Sequence, residues 1–213
     1  MKKAIFILLS VAACTDKNPP STVSDSNVDS LRLVQTDSAK IPALNLSLWI
    51  EFYQKENPDF SFDCFEPENT AEMQRMATHH ITAKDSAFNK IYQPFLLFNS
   101  DQTKYIDFDS YQWQPDEKGN ISFEADQKIV LVDLQKNSAE QIGFYGPSYF
   151  IEEGFWKNSD EVVLLGNSSD KVPFYTLYNL KKNQVEFFQY PDTLRISNFY
   201  FKERMKSHGL SVE

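Results

Sequence analysis

The stretch IVLVDLQKNSAEQI (residues 129–142) returns as YTLYNLKKNQVEFF (residues 175–188), an offset of 46 residues. Leu131 and Leu177, Leu134 and Leu180, Lys136 and Lys182, Asn137 and Asn183, and Glu140 and Glu186 are identical across that offset, and Asp133 answers to Asn179. In both copies apolar-rich segments flank a polar break at Lys-Asn. Apolar segments of strand length on either side of a turn-forming pair predict a β-hairpin. Upstream of each copy an aromatic segment runs into Asn-Ser-Asp: FLLFNSDQTKYIDF at 95–108 and GFWKNSDEVVLLG at 154–166. Each unit therefore reads as strand, Asn-Ser-Asp turn, strand, longer loop and hairpin.

Outside the repeat the pattern changes. PALNLSLWIEFYQKENP, at 42–58, fits either period, but Leu44, Leu48 and Phe52 recur at helical spacing, Pro42 suits a first turn and Asn57-Pro58 a stop. It is expected to be a helix. PENTAEMQRMATHH is expected to form a second short helix from Asn69 or Thr70, and NFYFKERMKSHG a third near the end.

The repeat, over about 94–190, resembles two four-stranded blades of a β-propeller, whose units have a period of about 40–50 residues. The resemblance implies blade-like antiparallel sheets at about 94–145 and 148–190. A propeller closes with about four to eight blades, and this chain has room for two. The expected fold is mainly β with flanking helices, an incomplete-propeller-like arrangement. Its sheets should pack on each other and on the helical segments, within one domain spanning 41–213.

The amino terminus carries a different signal. Lys2 and Lys3 precede an apolar run from Ala4 to Ala13, interrupted only by Ser10 and ending Val11-Ala12-Ala13-Cys14. The run is too short to span a bilayer, which needs about 20 apolar residues. It resembles the signal and lipobox of bacterial lipoproteins, which implies cleavage after residue 13 and lipidation of Cys14. Two or three acyl chains hold firmly where one is marginal, so the chain is expected to be anchored to the membrane rather than to span it. Residues 14–40, rich in Ser, Thr, Asp, Asn and Pro, read as a disordered tether. The combination resembles the small lipoproteins of the Bacteroidota, which implies a place in the cell envelope, at the outer membrane, and no particular activity.

With Cys14 alkylated, Cys64 has no partner within the chain, and its setting in DFSFDCFEP predicts a half-buried, inert thiol. The formal net charge of −9 becomes −11 once Lys2 and Lys3 leave with the leader. Phosphate backbones repel such a chain, so nucleic acid is excluded as a partner.

No catalytic constellation, metal site or cofactor is legible. His79 and His80 are adjacent, so their side chains diverge, and they read as the polar end of the second helix. Asp107 and Asp109 alternate with Ile106 and Phe108, which predicts a solvated strand face. Glu152 and Glu153 would need a loop to bring them close. There is no Gly-x-Ser-x-Gly elbow, and only six glycines are present for a phosphate loop. Trp156 and Tyr149 read as blade core. Tyr111 and Trp113, in DSYQWQPDEKG, are the ligand-binding candidates, since exposed aromatic rings stack on sugars or anchor proteins. The sequence points to an envelope module that acts by binding or structural association. A glycan-binding accessory lipoprotein is the alternative, and a hydrolase a more distant one.

Overall fold

The computed structural model describes residues 40–116 and 119–212. The expected leader, Cys14 and the tether up to residue 39 lie outside the described residues. The chain runs through helix α1 (Lys40–Gln54), strands β1 (Glu66–Glu72) and β2 (Met76–Ala77), then short strands β3 (Leu97–Phe98) and β4 (Lys104–Asp107). A small hairpin, β5 (Trp113–Pro115) and β6 (Ile121–Phe123), leads to β7 (Gln127–Asp133) and β8 (Ser138–Tyr145). The long meander β9 (Tyr149–Asn158), β10 (Glu161–Ser168), β11 (Pro173–Asn179) and β12 (Gln184–Gln189) precedes helix α2 (Tyr200–Ser207).

Two antiparallel sheets result, ordered β2-β8-β7-β4-β3 and β1-β12-β11-β10-β9. Each contains the expected four-stranded meander, and each is widened by one edge strand from residues 66–77. The fold is mainly β with flanking helices. The two hairpins of the repeat keep the sequence offset: β7 and β11, and β8 and β12, begin 46 residues apart. Asn137 and Asn183 both take the left-handed conformation, with φ of 50° and 53°, which Asn tolerates better than most residues. Asp133 Oδ1 accepts the Lys136 backbone N–H at 3.0 Å, and Asn179 Oδ1 accepts that of Lys182 at 2.8 Å.

The faces of the repeat decide how the blades stack. In the first blade Ile129 and Leu131 point into the core between the sheets, while Val130 and Val132 point away. In the second blade the equivalents of Ile129 and Leu131, Tyr175 and Leu177, point away from that core, and Tyr178 points into it. Opposite faces therefore meet. The blades stack head to tail, as successive propeller blades do, where a two-fold sandwich would bring identical faces together. The inter-blade core is completed by Ile106, Phe108, Ile142, Ile151, Trp156, Val162, Leu164 and Phe174. Each such buried side chain contributes roughly 1.5–3 kcal/mol relative to exposure.

Head-to-tail stacking leaves two unlike outer faces. The outer face of the second blade carries α1, the segment between α1 and β1, and the start of α2 with the residues before it: Trp49, Tyr53, Phe60, Phe65, Leu194 and Tyr200 bury Val163 and Leu165. The outer face of the first blade, around Tyr105, Val130 and Val132, is covered by Ala83, Phe88, Leu96 and Phe98 from the loop-rich segment before β4.

Several expectations need correction. The second helix is absent; those residues form β1 and β2, whose side chains are exposed and which exist because the sheet edges offer backbone partners. They act as one strap across both blades. Between them Met73 plugs the inter-blade core at 2% exposure, its N–H bonded to Asn183 O at 2.9 Å, and Arg75 Nε reaches Glu140 at 3.0 Å. In α1 the buried stripe is Trp49 and Tyr53, while Leu44 and Leu48 face outward. The identity of Leu131 and Leu177 in the repeat does not extend to equal burial: Leu177 is half-buried where Leu131 is fully buried. Trp156 is core, but Tyr149 is 39% exposed. Cys64 is exposed: the 3₁₀ turn Phe62–Cys64 swings the thiol out of the alternation set by Phe60 and Phe62.

Candidate functional site

Strand alternation places Asp107 on the same face as Tyr105, and Lys128 on the same face as Val130, so both point away from the inter-blade core. On β8 the register slips: Ile129 pairs with Gly143 but Val130 with Gln141, leaving Ile142 as an extra residue. Such a bulge re-aims the side chains beyond it. Here it sets Phe144 opposite Lys128, next to Tyr111, with ring centroids 6.4 Å apart.

The cover over this face is incomplete. Between residues 79–92 and the strands β4 and β7 lies a pocket of about 360 Å³, at the small end of the range of roughly 300–1,000 Å³ usual for ligand sites. Ile81, Phe88, Tyr92, Val130 and Tyr111 form apolar walls, and Asp107, Ser110, His79, His80, Asn89 and Lys128 bring polar groups to it.

The floor is built from Asp107, 2% exposed. Its Oδ1 accepts the backbone N–H groups of Asp109 and Ser110, each at 3.0 Å, and its Oδ2 accepts the Ser110 hydroxyl at 2.5 Å. His80 Nε2 lies 3.3 Å from Oδ2, off the line of a hydrogen bond. Burial pushes the Asp107 carboxyl up, but the His80 imidazole and the Ser110 donors outweigh it and hold the group below the ordinary aspartate value. Asp107 is thus an anion already satisfied from within. Burial, with the charges of Asp107 and Asp109 behind it, pushes the Tyr92 phenol up, so that wall stays neutral. Lys128 Nζ donates to Thr78 Oγ1 at 3.0 Å and stands 5.9 Å from the centre of the Tyr111 ring.

Of the two sequence candidates, only Tyr111 belongs here, 43% exposed on the pocket wall. Trp113 is 1% exposed, its indole N–H bonded to Asp109 Oδ1 at 3.0 Å and its ring packed on Tyr92 and Phe95. It offers no face to a ligand, and the pair forms no exposed platform. Asp107 and Asp109 do not form a solvated face, and the two histidines do not end a helix.

A second polar cluster is structural. A bulge on β9, where Glu153 pairs with Leu165 but Ile151 with Gly166, leaves Glu152 as the extra residue. Both neighbouring glutamates consequently reach the buried layer beneath the helices. Glu152 accepts Trp49 Nε1 at 2.9 Å and the Tyr53 hydroxyl at 2.7 Å, and Phe201 N lies 3.3 Å away. Burial raises its pKa to about 7 against these donors. Glu153 takes Asn45 and the Tyr200 hydroxyl, and Arg204 reaches Asp109 at 2.6 Å while lying over the Phe108 ring. Burial raises the pKa of both Glu153 and Asp109, with Arg204 opposing. These groups fasten α1 and α2 to β9. Among the described residues, no three His, Cys, Asp or Glu side chains converge to hold a metal ion.

Comparison with known protein families, characterised proteins and solved structures finds no match for this chain.

Proposed function

We propose that this protein is a lipid-anchored module of the bacterial cell envelope that acts by binding, with the pocket on the outer face of its first blade as the ligand site. The observation that carries the binding half is the gap in the cover of that face: apolar walls around fixed polar groups, with Tyr111 half-exposed at the mouth. A cavity of this kind on a rigid sheet, edged by loop residues, is the usual setting of a small-molecule site. The anchoring half rests on the lysine-led apolar run closing on Cys14. The glycan alternative loses the paired aromatic platform it needed, because Trp113 is core.

Two measurements test the two halves separately. Cys14→Ser is expected to abolish incorporation of labelled fatty acid and to move the protein out of the membrane fraction; unchanged labelling would end the lipobox reading. Ala87, exposed on the pocket wall, can be enlarged without disturbing the core. In ligand-detected NMR, small aromatic fragments should contact the native domain and be lost in Ala87→Trp. Fragment contacts that survive the substitution would place binding elsewhere.

A further inference from the structure

The charge balance of the pocket singles out one class of ligand. Asp107 is the sole carboxylate among its lining residues, and its oxygens accept two backbone N–H groups and a hydroxyl, with the His80 ring 3.3 Å away. A cation entering the pocket would find no free anion to meet. Lys128 is in the opposite position. Among the described residues no carboxylate lies within ion-pair distance of it, and its partners are a neutral hydroxyl and an aromatic face. The chain as a whole carries a formal charge of −9, so an unneutralised lysine at a concave site stands against its surroundings.

The mouth adds a second requirement. Ile81, Tyr111 and Phe144 are 46%, 43% and 52% exposed, large apolar side chains left uncovered around a single charge. Behind them Phe88, Tyr92 and Val130 continue the apolar wall. A fully hydroxylated ligand would leave this surface poorly used, and a bare inorganic anion would leave it wet. A ligand that places one negative group at Lys128 and lays an apolar body along Tyr111, Ile81 and Phe88 satisfies both features.

We propose that the pocket selects a small amphipathic monoanion, a carboxylate on a flat or linear apolar body, with Lys128 reading the charge and Tyr111, Ile81 and Phe88 holding the body. This rests on the reading of the pocket as a ligand site. It makes Lys128 the residue that sets specificity for charge, and Tyr111 the residue that sets affinity for the apolar part.

The test uses three probes that share one body, 4-phenylbutyrate, 4-phenylbutanamide and 4-phenylbutylamine, titrated calorimetrically into the full chain. The carboxylate is expected to bind about tenfold or more tightly than the amide, and the amine least well. Lys128→Met, which keeps most of the stem, should bring the carboxylate down to the amide while leaving the amide unchanged. Lys128→Arg should retain the preference, and Ala87→Trp should remove all binding. Equal affinity for carboxylate and amide in the native protein would overturn the ligand class, as would a preference that survives Lys128→Met. In either case, loss of binding in Ala87→Trp would leave the pocket itself standing. No binding by any probe, or binding indifferent to Ala87→Trp, would bring down both the ligand class and the site.

Discussion

Replacing Glu152 by Gln is expected to change how the stability of the domain depends on pH, more than the stability at any one pH. The carboxyl is fully buried between β9 and the two helices, where desolvation opposes its charged form and the Trp49, Tyr53 and Phe201 donors favour it. Desolvation wins, and the pKa moves from 4.5 to about 7. Below pH ~4.5 the group is protonated in both folded and unfolded chains and contributes its full stability. As pH rises toward 7, the unfolded chain releases the proton and the folded one keeps it, so stability falls; above about 7 the loss is complete. At roughly 1.4 kcal/mol per pH unit, the change is on the order of 3 kcal/mol. Gln does not titrate. Its amide cannot accept all three donors, so Glu152→Gln carries a constant cost of about 1–3 kcal/mol. The stability of Glu152→Gln minus that of the native protein should therefore climb by on the order of 3 kcal/mol between pH ~4.5 and ~7, then level off. Urea unfolding followed by tryptophan fluorescence across that range measures the difference, and Asp109 and Glu153 largely cancel because both proteins contain them. A flat difference, or one in which the native protein gains as pH rises, would show that the donors outweigh burial and that Glu152 is ionised in the fold.

Leu131→Ala should cost about 2–5 kcal/mol, as deep core positions do, and Leu177→Ala less, because it is half-buried under the helices; substitutions of Lys136 or Lys182 should stay within roughly ±0.5 kcal/mol. Because the two leucines lie in separate layers, the double variant should be additive within about 0.3–0.5 kcal/mol, whereas a cycle pairing Leu131 with Leu164 across the inter-blade core should not be. Coupling between Leu131 and Leu177 would refute head-to-tail stacking. Cys64 should react with a thiol reagent in the native protein about as fast as in urea, and protection until unfolding would place it back in the core.

The strands β7 to β12 were legible because apolar alternation and Asn-rich turns coincide there, and because the repeat tests each assignment against its copy. β1 was illegible for the opposite reason. Glu66–Glu72 has no buried side chain, and only an unoccupied sheet edge holds it extended. The two bulges have no sequence signature because each depends on a neighbouring strand: one turns Phe144 toward Lys128, the other brings Glu152 and Glu153 to the same layer. Trp113 looked exposed among polar residues, but Asp109, four positions earlier, takes its N–H and lets the ring enter the core. Tyr111 was legible as an exposed ring. Its partners were not, since Ile81, His80, Asp107 and Lys128 come from three separate segments. The only local hint was a histidine pair followed directly by the apolar Ile81.

The position of the site follows from how a two-blade stack closes. In a full ring each blade face is covered by the next blade, and no outer face exists. Two blades packed head to tail leave one face of each uncovered, and the two faces carry different side chains, so no single kind of cover serves both. At the second blade a helix and an aromatic layer complete the burial, and the acids beneath them tie that cover down. At the first blade the cover is mostly turns with one 3₁₀ helix, Lys90–Phe95, which buries Tyr105, Val130 and Val132 but leaves Lys128 on the wall of an open pocket. A cover with little regular structure offers fewer backbone hydrogen bonds per residue and yields more readily to local opening. The strands fix the charge and the floor, while the loop supplies the opposite wall. The helix-covered face is closed by buried aromatic packing, and the loop-covered face is the one that leaves room for the proposed ligand.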